Sequence, residues 1–581
     1  MFTFNHNISL DTSKKYCRIL LDTMLAKGVR NIVVSPGSRN APLLIGINSR
    51  EEFNVIKCAD ERMAGFIALG LAMVKQEPVA LCCTSGTALY NYAPAVAEAF
   101  YQNIPLVILS ADRPIQWIDQ DDSQTLIQPG ALSKIVKKCF EIPEEVPGCD
   151  ELDWYVNRTT NEAINLATHN RQGPVHINIR LDAPLAKLTS TENNRYVRKV
   201  EDINAISFNR EVLKFYAEEL VNKKVLIIAG FMPPNNKLNK LLHKLEGFQN
   251  VKILCETISN LHLNGNPYSI DRILRIAENS DEPSVIYEEL RADVVISIGG
   301  ALVSRKLKEF IRNYPPLELW TLADTSLQAD CFKCQTKHFN LLPETFFSGI
   351  VGPLSKGLRK FSHSDAPVLY KEIWHKYEEI SENIDNNFFS TKKTWSELSA
   401  YRYILNNIPS SYNLFLSNGT VIRYAQLFTK IIPHASYGNR GVSGIEGTNA
   451  TALGTSMGYK GTTLLITGDL SFGYDTGILA LKNYAPNLKI IVINNDGGGI
   501  FRFIPSTKDL ECCESVFCAH PELPLEGLAN AYKWKYLSVS DMTELPDVFK
   551  EFISYEKNII LELKFDAQIS ANHLLEYFTL S

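Results

Sequence analysis

Nowhere in these 581 residues does an apolar run approach the ~20 positions needed to cross a bilayer, which argues against a helical membrane span. The opening stretch, MFTFNHNISLDTSKKY, lacks the apolar core of a signal peptide, so the chain is expected in the cytoplasm. Basic residues are not in excess: 59 Lys and Arg stand against 64 Asp and Glu, a formal net charge of −5. Such a balance gives no sign of a nucleic-acid or anionic-membrane partner, and any cation that binds a ligand has to be argued singly. There is no GxxxxGK(S/T) loop, which removes the usual P-loop nucleotide site. The 12 cysteines are scattered rather than set in a disulfide framework. Neither Cys331 and Cys334 with His338, nor Cys512, Cys513 and Cys518 with His520, repeats the paired CxxC spacing of a strong zinc motif, so these read as reduced thiols.

What is present is a soluble-type composition, 45% hydrophobic and 21% charged, on a chain too long for one core. Short β-branched runs alternate with amphipathic stretches throughout: NIVVS (31–35), PVALCCTS (78–85), PLVILS (105–110), VHINI (175–179), KVLIIAG (224–230), VKILCE (251–256), DVVISIGG (293–300), NLFLS (413–417) and NIILEL (558–563). Continuous apolar runs of this length are strands buried on both faces, and ERMAGFIALGLAMV (61–74) and TALYNYAPAVAEAFYQN (87–103) are helices between them. The fold class is α/β with three doubly wound, mostly parallel domains. Two polar stretches, 185–199 and 352–367, read as linkers and divide the chain at 1–185, 186–365 and 366–581.

The richest chemistry lies in the last segment. TLLIT (463–467) feeds Gly468-Asp469-Leu470-Ser471, and KIIVI (489–493) feeds Asn494-Asn495-Asp496 and three glycines. Parallel strands joined by a crossover helix bring both following loops to one edge of the sheet, where α/β proteins bind ligands. Asp469, Asn495 and the Gly497 carbonyl then form a set of hard oxygen donors for a divalent cation such as Mg²⁺ or Mn²⁺. Such a cation commonly completes its shell with phosphate oxygens and water. In the first segment Glu61, within CADERMAGFIALGLA (58–72), follows a strand-like run and opens an apolar helix.

The GDLS and NNDGGG spacing resembles the thiamine-diphosphate signature. Together with SPGSRNAPL (35–43), TSGTALYNYAPAVAEAFYQNIPLVILSADRP (84–114), NRGVSGIEG (439–447) and GDLSFGYD (468–475), it resembles the 2-succinyl-5-enolpyruvyl-6-hydroxy-3-cyclohexene-1-carboxylate synthases of menaquinone biosynthesis. That resemblance implies thiamine diphosphate with Mg²⁺ or Mn²⁺ at Asp469, Asn495 and Gly497. It implies a cofactor-binding set of Gly419, Ile445, Gly468, Leu470, Ser471 and Gly498, with Ile500, Phe501 and Ile504 as an apolar wall. Glu61 would meet N1′ of the aminopyrimidine, where a carboxylate favours the tautomer that takes the thiazolium C2 proton.

The same resemblance implies decarboxylation of 2-oxoglutarate and joining of the remaining four-carbon unit to isochorismate. Four substrate carboxylates call for dispersed cations. By motif position these are Arg39 beside Ser38, Arg113, Arg423 and Arg440, with Gln124 and the pair Arg305 and Lys306. The chain departs from the family in carrying Gly419 where a serine is frequent, and in the order of the Arg305-Lys306 pair. A homodimer or homotetramer with active sites at the subunit interface is implied. Another thiamine-dependent 2-oxoacid decarboxylase or carboligase, or a catalytically silent relative, is the alternative.

Overall fold

The structure, a computed structural model, describes residues 9–169, 171–191, 197–202, 209–264, 268–325, 327–359, 369–428 and 433–580. The expected boundary at 365/366 lies outside them. Three parallel sheets carry the chain. The first has strand order Asn54–Lys57, Asn31–Val34, Val79–Cys83, Leu106–Asp112, Val175–Arg180, Cys139–Ile142. The second runs Val251–Cys255, Val225–Ala229, Val294–Ile298, Glu318–Ala323, Gln335–Asn340, and the third Ala435–Tyr437, Asn413–Leu416, Thr463–Gly468, Leu488–Asn494, Ile559–Lys564, Lys535–Val539. Every neighbouring pair in these sheets is parallel, so the strands are covered by helices, and runs such as Val79–Cys83 are buried at every position.

One compact unit holds the described residues of Met1–Ala205 with Asn439–Lys460 and Asp475–Pro486, and the second holds the remainder. Within the first unit, the helix Glu61–Lys75 crosses the helix Thr448–Gly458 with no room for side chains at the crossing. A Cβ on Gly70 would lie 2.0 Å from the Thr451 carbonyl oxygen, and one on Gly454 would lie 2.1 Å from that of Ile67. Only glycine permits so close an approach of backbones.

Three local readings change. The stretch 87–103 forms two helices, Thr87–Asn91 and Ala93–Gln102, with Tyr92 between them. Pro94 has no N–H to continue the first helix and disfavours the helical region for the residue before it. The polar stretch after 185 contains a strand, Leu188–Thr191, antiparallel to Ser9–Thr12. A partner nearly two hundred residues away supplies its hydrogen bonds, which local composition does not reveal. The start of 352–367 belongs to the helix Pro343–Leu358, which runs through Pro353 because Phe346, Phe347, Ile350 and Leu354 bury one face.

Candidate active site

In the second unit, the adjacent strands Thr463–Gly468 and Leu488–Asn494 end beside each other, and Asp469 bridges the loops that follow. Its Oδ1 accepts the Leu470 N–H at 2.7 Å. Its Oδ2 accepts the N–H groups of Asn495 at 3.2 Å and Gly497 at 2.9 Å. The carboxylate is buried, and burial raises its pKa above the ordinary value, opposed by these backbone donors. Asp496, Gly497 and Gly498 are consecutive left-handed residues that turn the chain back over Asp469. A Cβ on Gly497 would stand 2.6 Å from Cδ of Pro521, so the tight loop requires glycine there.

Asn495 is held at nearly every atom. Its Nδ2 donates to Oε1 of Glu397 at 2.9 Å, and its carbonyl oxygen accepts from Nη1 of Arg502 at 3.2 Å. The same Nη1 donates to the Gly497 carbonyl at 3.2 Å, using one of that oxygen's two lone pairs and leaving the other. Arg502 is buried and fixed by both oxygens of Glu514 at 2.9 Å. Neither Arg502 nor Glu397 stood out in the sequence. Glu397 sits in the first turn of the helix Glu397–Leu405, where the plain reading is a helix-start acid, and its long-range contact with Asn495 has no local signature. Burial pushes its carboxyl up to about 7, with the Asn495 hydrogen bond as the main opposing effect.

Gly468 ends its strand with open space on its Cα, and Gly419, just before the helix Thr420–Phe428, has open space too and adopts φ +88°. Ser471 is buried, while Leu470, Ile500, Phe501 and Ile504 are half-buried and Gly498 lies against Cys518 and Phe517. Arg423 donates to the Gly419 carbonyl from an exposed position. Lys306 pairs with Glu278, and both Lys306 and Arg423 act on the half-buried Asp271, which places these two cations in one neighbourhood. Arg305 points elsewhere: its side chain is 77% exposed and pairs with Glu309 one turn on. Cys513, Glu514 and Cys518 bring their ligand atoms within 4.8 Å of one another, and all 12 cysteines are free thiols.

The first unit gathers the other residues. Glu61 stands in the first turn of its helix, half-buried, behind the N-cap Asp60 that accepts the Met63 N–H at 3.0 Å. Arg62 beside it reaches Asp475 at 3.1 Å. Ser38 and Arg39 follow the strand Asn31–Val34, Arg113 and Gln124 follow Leu106–Asp112, and Thr84 and Ser85, after the strand between them, touch both loops. Arg39 donates to the Leu181 carbonyl at 2.9 Å, and its backbone N–H meets the Thr84 hydroxyl at 3.3 Å. Burial and the nearby Arg113 both lower the Arg39 pKa, the mark of cations crowded together. Arg113 is paired with Asp122 at 2.8 Å. Gln124, in a left-handed conformation, donates to the Ser85 carbonyl at 3.2 Å.

The Arg440 loop is pinned by Glu98, whose buried carboxylate accepts the N–H groups of Gly441 and Val442. Ile445 is half-buried on the same loop. Glu98 lay inside a run read only as helix, and nothing local marks it as a loop anchor.

The family profile described as "Thiamine pyrophosphate enzyme, N-terminal TPP binding domain" matches residues 14–132. A 2-succinyl-5-enolpyruvyl-6-hydroxy-3-cyclohexene-1-carboxylate synthase from Porphyromonas gingivalis is 38% identical, over 98% of this chain and 97% of its own. Proteins of the same description from Flavobacterium psychrophilum and Christiangramia forsetii are each 35% identical, covering 96% and 97% of this chain and 97% and 98% of their own. This chain belongs to that synthase family. It is therefore a transferase-type, thiamine-diphosphate-dependent enzyme of menaquinone biosynthesis, not a member of another carboligase group. Among the described residues no helix is long and apolar enough to cross a membrane.

The synthase family implies a cofactor, and the donor set suits its metal-diphosphate end. Asp469 is a buried acid with no cationic side chain among the partners described for it, Asn495 presents an amide oxygen, and Gly497 has a carbonyl lone pair to spare. A hard divalent cation takes such oxygens.

Proposed function

We propose that the enzyme decarboxylates 2-oxoglutarate and joins the resulting succinic-semialdehyde unit to isochorismate, with Mg²⁺ or Mn²⁺ held by Asp469, Asn495 and the Gly497 carbonyl. The observation that carries the site assignment is the Asp469 carboxylate, buried and joined by three backbone N–H groups to both loops at one sheet edge. When bound, thiamine diphosphate supplies the nucleophilic carbon and the electron sink that permit loss of carbon dioxide from a 2-oxo acid.

The chain's own residues do the rest. Glu61 would share a proton with N1′ of the pyrimidine and so govern the basicity of that ring's amino group. Gly419, Gly468, Leu470, Ser471 and Gly498 would hold the diphosphate. Ile500, Phe501 and Ile504 would exclude water, which strengthens electrostatic interactions inside and protects the nucleophile from stray protons, and Ile445 would lie against the cofactor. Arg39 and Arg113, with Ser38 and Gln124, suit one pair of substrate carboxylates, and the closeness of the two cations supports this. Arg423 and Lys306 suit another, and Arg440 is a further cation suited to a substrate carboxylate. Arg305, turned to Glu309, plays the lesser part of the Arg305-Lys306 pair.

The three-domain division and a cytoplasmic homodimer or homotetramer with interface active sites belong to the same proposal, supported by the resemblance to thiamine enzymes. The test is incubation with thiamine diphosphate, Mg²⁺, 2-oxoglutarate and isochorismate, omitting each in turn, while following isochorismate loss and product mass. A product containing isochorismate plus the succinyl semialdehyde unit, dependent on every component, is expected. Carbon dioxide release without joining would move the acceptor elsewhere and overturn the substrate assignment.

A further inference from the structure

We infer that Glu397 is a positioning residue that sets the orientation of the Asn495 amide, so that Oδ1 rather than Nδ2 faces the cation. The inference rests on the proposed metal site and concerns a residue outside both of its motifs.

An asparagine amide is nearly symmetric in shape but opposite in polarity at its two ends. A cation selects the oxygen, but before it arrives either end can face the site, so a group that fixes the oxygen inward prepares the ligand in advance. Here the distinction comes from Glu397. Its side chain is buried, 3% exposed, and Oε1 accepts from Asn495 Nδ2 at 2.9 Å. A carboxylate oxygen in that place favours the nitrogen and disfavours the amide oxygen.

The other atoms of Asn495 are already committed: its N–H to Asp469 and its carbonyl to Arg502. Among the described residues no hydrogen bond is seen to Oδ1 of Asn495, so with Nδ2 tied to Glu397 the oxygen is the end of the amide left to meet a cation. Glu397 is itself anchored, its backbone N–H donating to the Ser570 hydroxyl at 3.2 Å behind the N-cap Ser396. The Asn495 bond is the strongest tie on its carboxylate, ahead of the Thr420 side chain that also acts on it. Groups that orient metal ligands in this way typically change metal affinity 10–100-fold when removed.

The test uses the full-length enzyme with thiamine diphosphate present and Mn²⁺ as the probe, its binding followed by electron paramagnetic resonance. Glu397→Leu, similar in size but unable to accept a hydrogen bond, is expected to weaken Mn²⁺ binding at least tenfold, on the order of other outer-shell losses. At saturating Mn²⁺ its turnover should recover, because the reacting groups are untouched. Glu397→Gln still offers an amide oxygen to Asn495 and is expected to bind Mn²⁺ nearly as the parent does.

Unchanged affinity in the leucine variant overturns the inference. Equal losses in both variants also overturn it, since charge rather than orientation would then matter. Should the leucine variant not fold, the glutamine variant still decides, because a large loss there contradicts the orienting role. Asp469→Asn serves as the reference: if it keeps full Mn²⁺ affinity, the metal site itself is misassigned, and if it alone loses affinity, only the Glu397 inference fails.

Discussion

The carboxylate of Glu98, buried in the helix Ala93–Gln102, accepts the backbone N–H of Val442 at 2.7 Å and that of Gly441 beside it. A charged acceptor on two loop amides is a strong tie, and removing it leaves both donors without that partner. Glu98→Ala should lower unfolding stability by about 3 kcal/mol in urea titrations. It should also raise the KM for a dicarboxylate substrate more than it lowers kcat, because Arg440 directly precedes the pinned amides. An unchanged KM in a folded variant would separate this loop from substrate binding.

Glu61→Gln keeps the size of the side chain and removes its ionisable oxygen. Turnover is expected to fall by at least ~10²-fold, the usual contribution of a positioned acid or base, while thiamine diphosphate still binds by fluorescence titration. Near-normal turnover would refute the assigned role.

Subunit arrangement has its own test. If Glu61 of one subunit works with Asp469 of another, verified heterodimers of a Glu61→Gln chain and an Asp469→Asn chain should regain part of the parent activity, because one of their two sites carries neither change. Absence of any recovery would mean that each site is built within one chain.

The crossing at Gly70 and Gly454 predicts intolerance to a single methyl group. Gly454→Ala places its Cβ 2.1 Å from the Ile67 carbonyl oxygen, a backbone atom that cannot swing away. A loss of about 3 kcal/mol or more is expected by denaturant unfolding. Gly352, in the helix Pro343–Leu358, has nothing within 4 Å of the place an added methyl would take, so Gly352→Ala should be neutral or slightly stabilising.

His176 predicts a pH dependence of stability. It is buried in the first sheet, its Nε2 2.7 Å from the Ser110 hydroxyl, which itself donates to Asn178 at 2.8 Å. The imidazole thus donates through Nε2, and burial lowers its pKa from 6.5 to about 4. Between those values the unfolded chain binds a proton that the folded chain refuses, so stability is lost as pH falls from 6.5 toward 4. The loss attributable to this residue is roughly 3 kcal/mol. His176→Gln should flatten that part of the profile when unfolding midpoints are measured across pH; an identical slope would assign the effect to other groups.

The sequence by itself determined the α/β class, the central strands and the motif loops. Buried parallel strands demand continuous apolar runs, and loops at strand ends keep their Gly, Asp and Asn because backbone turns need them. Asp469, Asn495 and Gly497 stand out in the sequence for that reason, as does Glu61 at the head of an apolar helix. Only the tertiary structure decided which polar groups meet. Glu397 and Arg502 act on Asn495 across the fold, Glu98 holds a loop more than three hundred residues away, and Leu188–Thr191 becomes a strand only beside Ser9–Thr12. The same holds for the arginines: composition cannot tell Arg305, exposed beside Glu309, from Arg39, crowded against Arg113. Hydrophobic periodicity is a local signal that each segment carries alone, whereas a hydrogen bond or a shared charge field between distant residues exists only once the chain has brought them together.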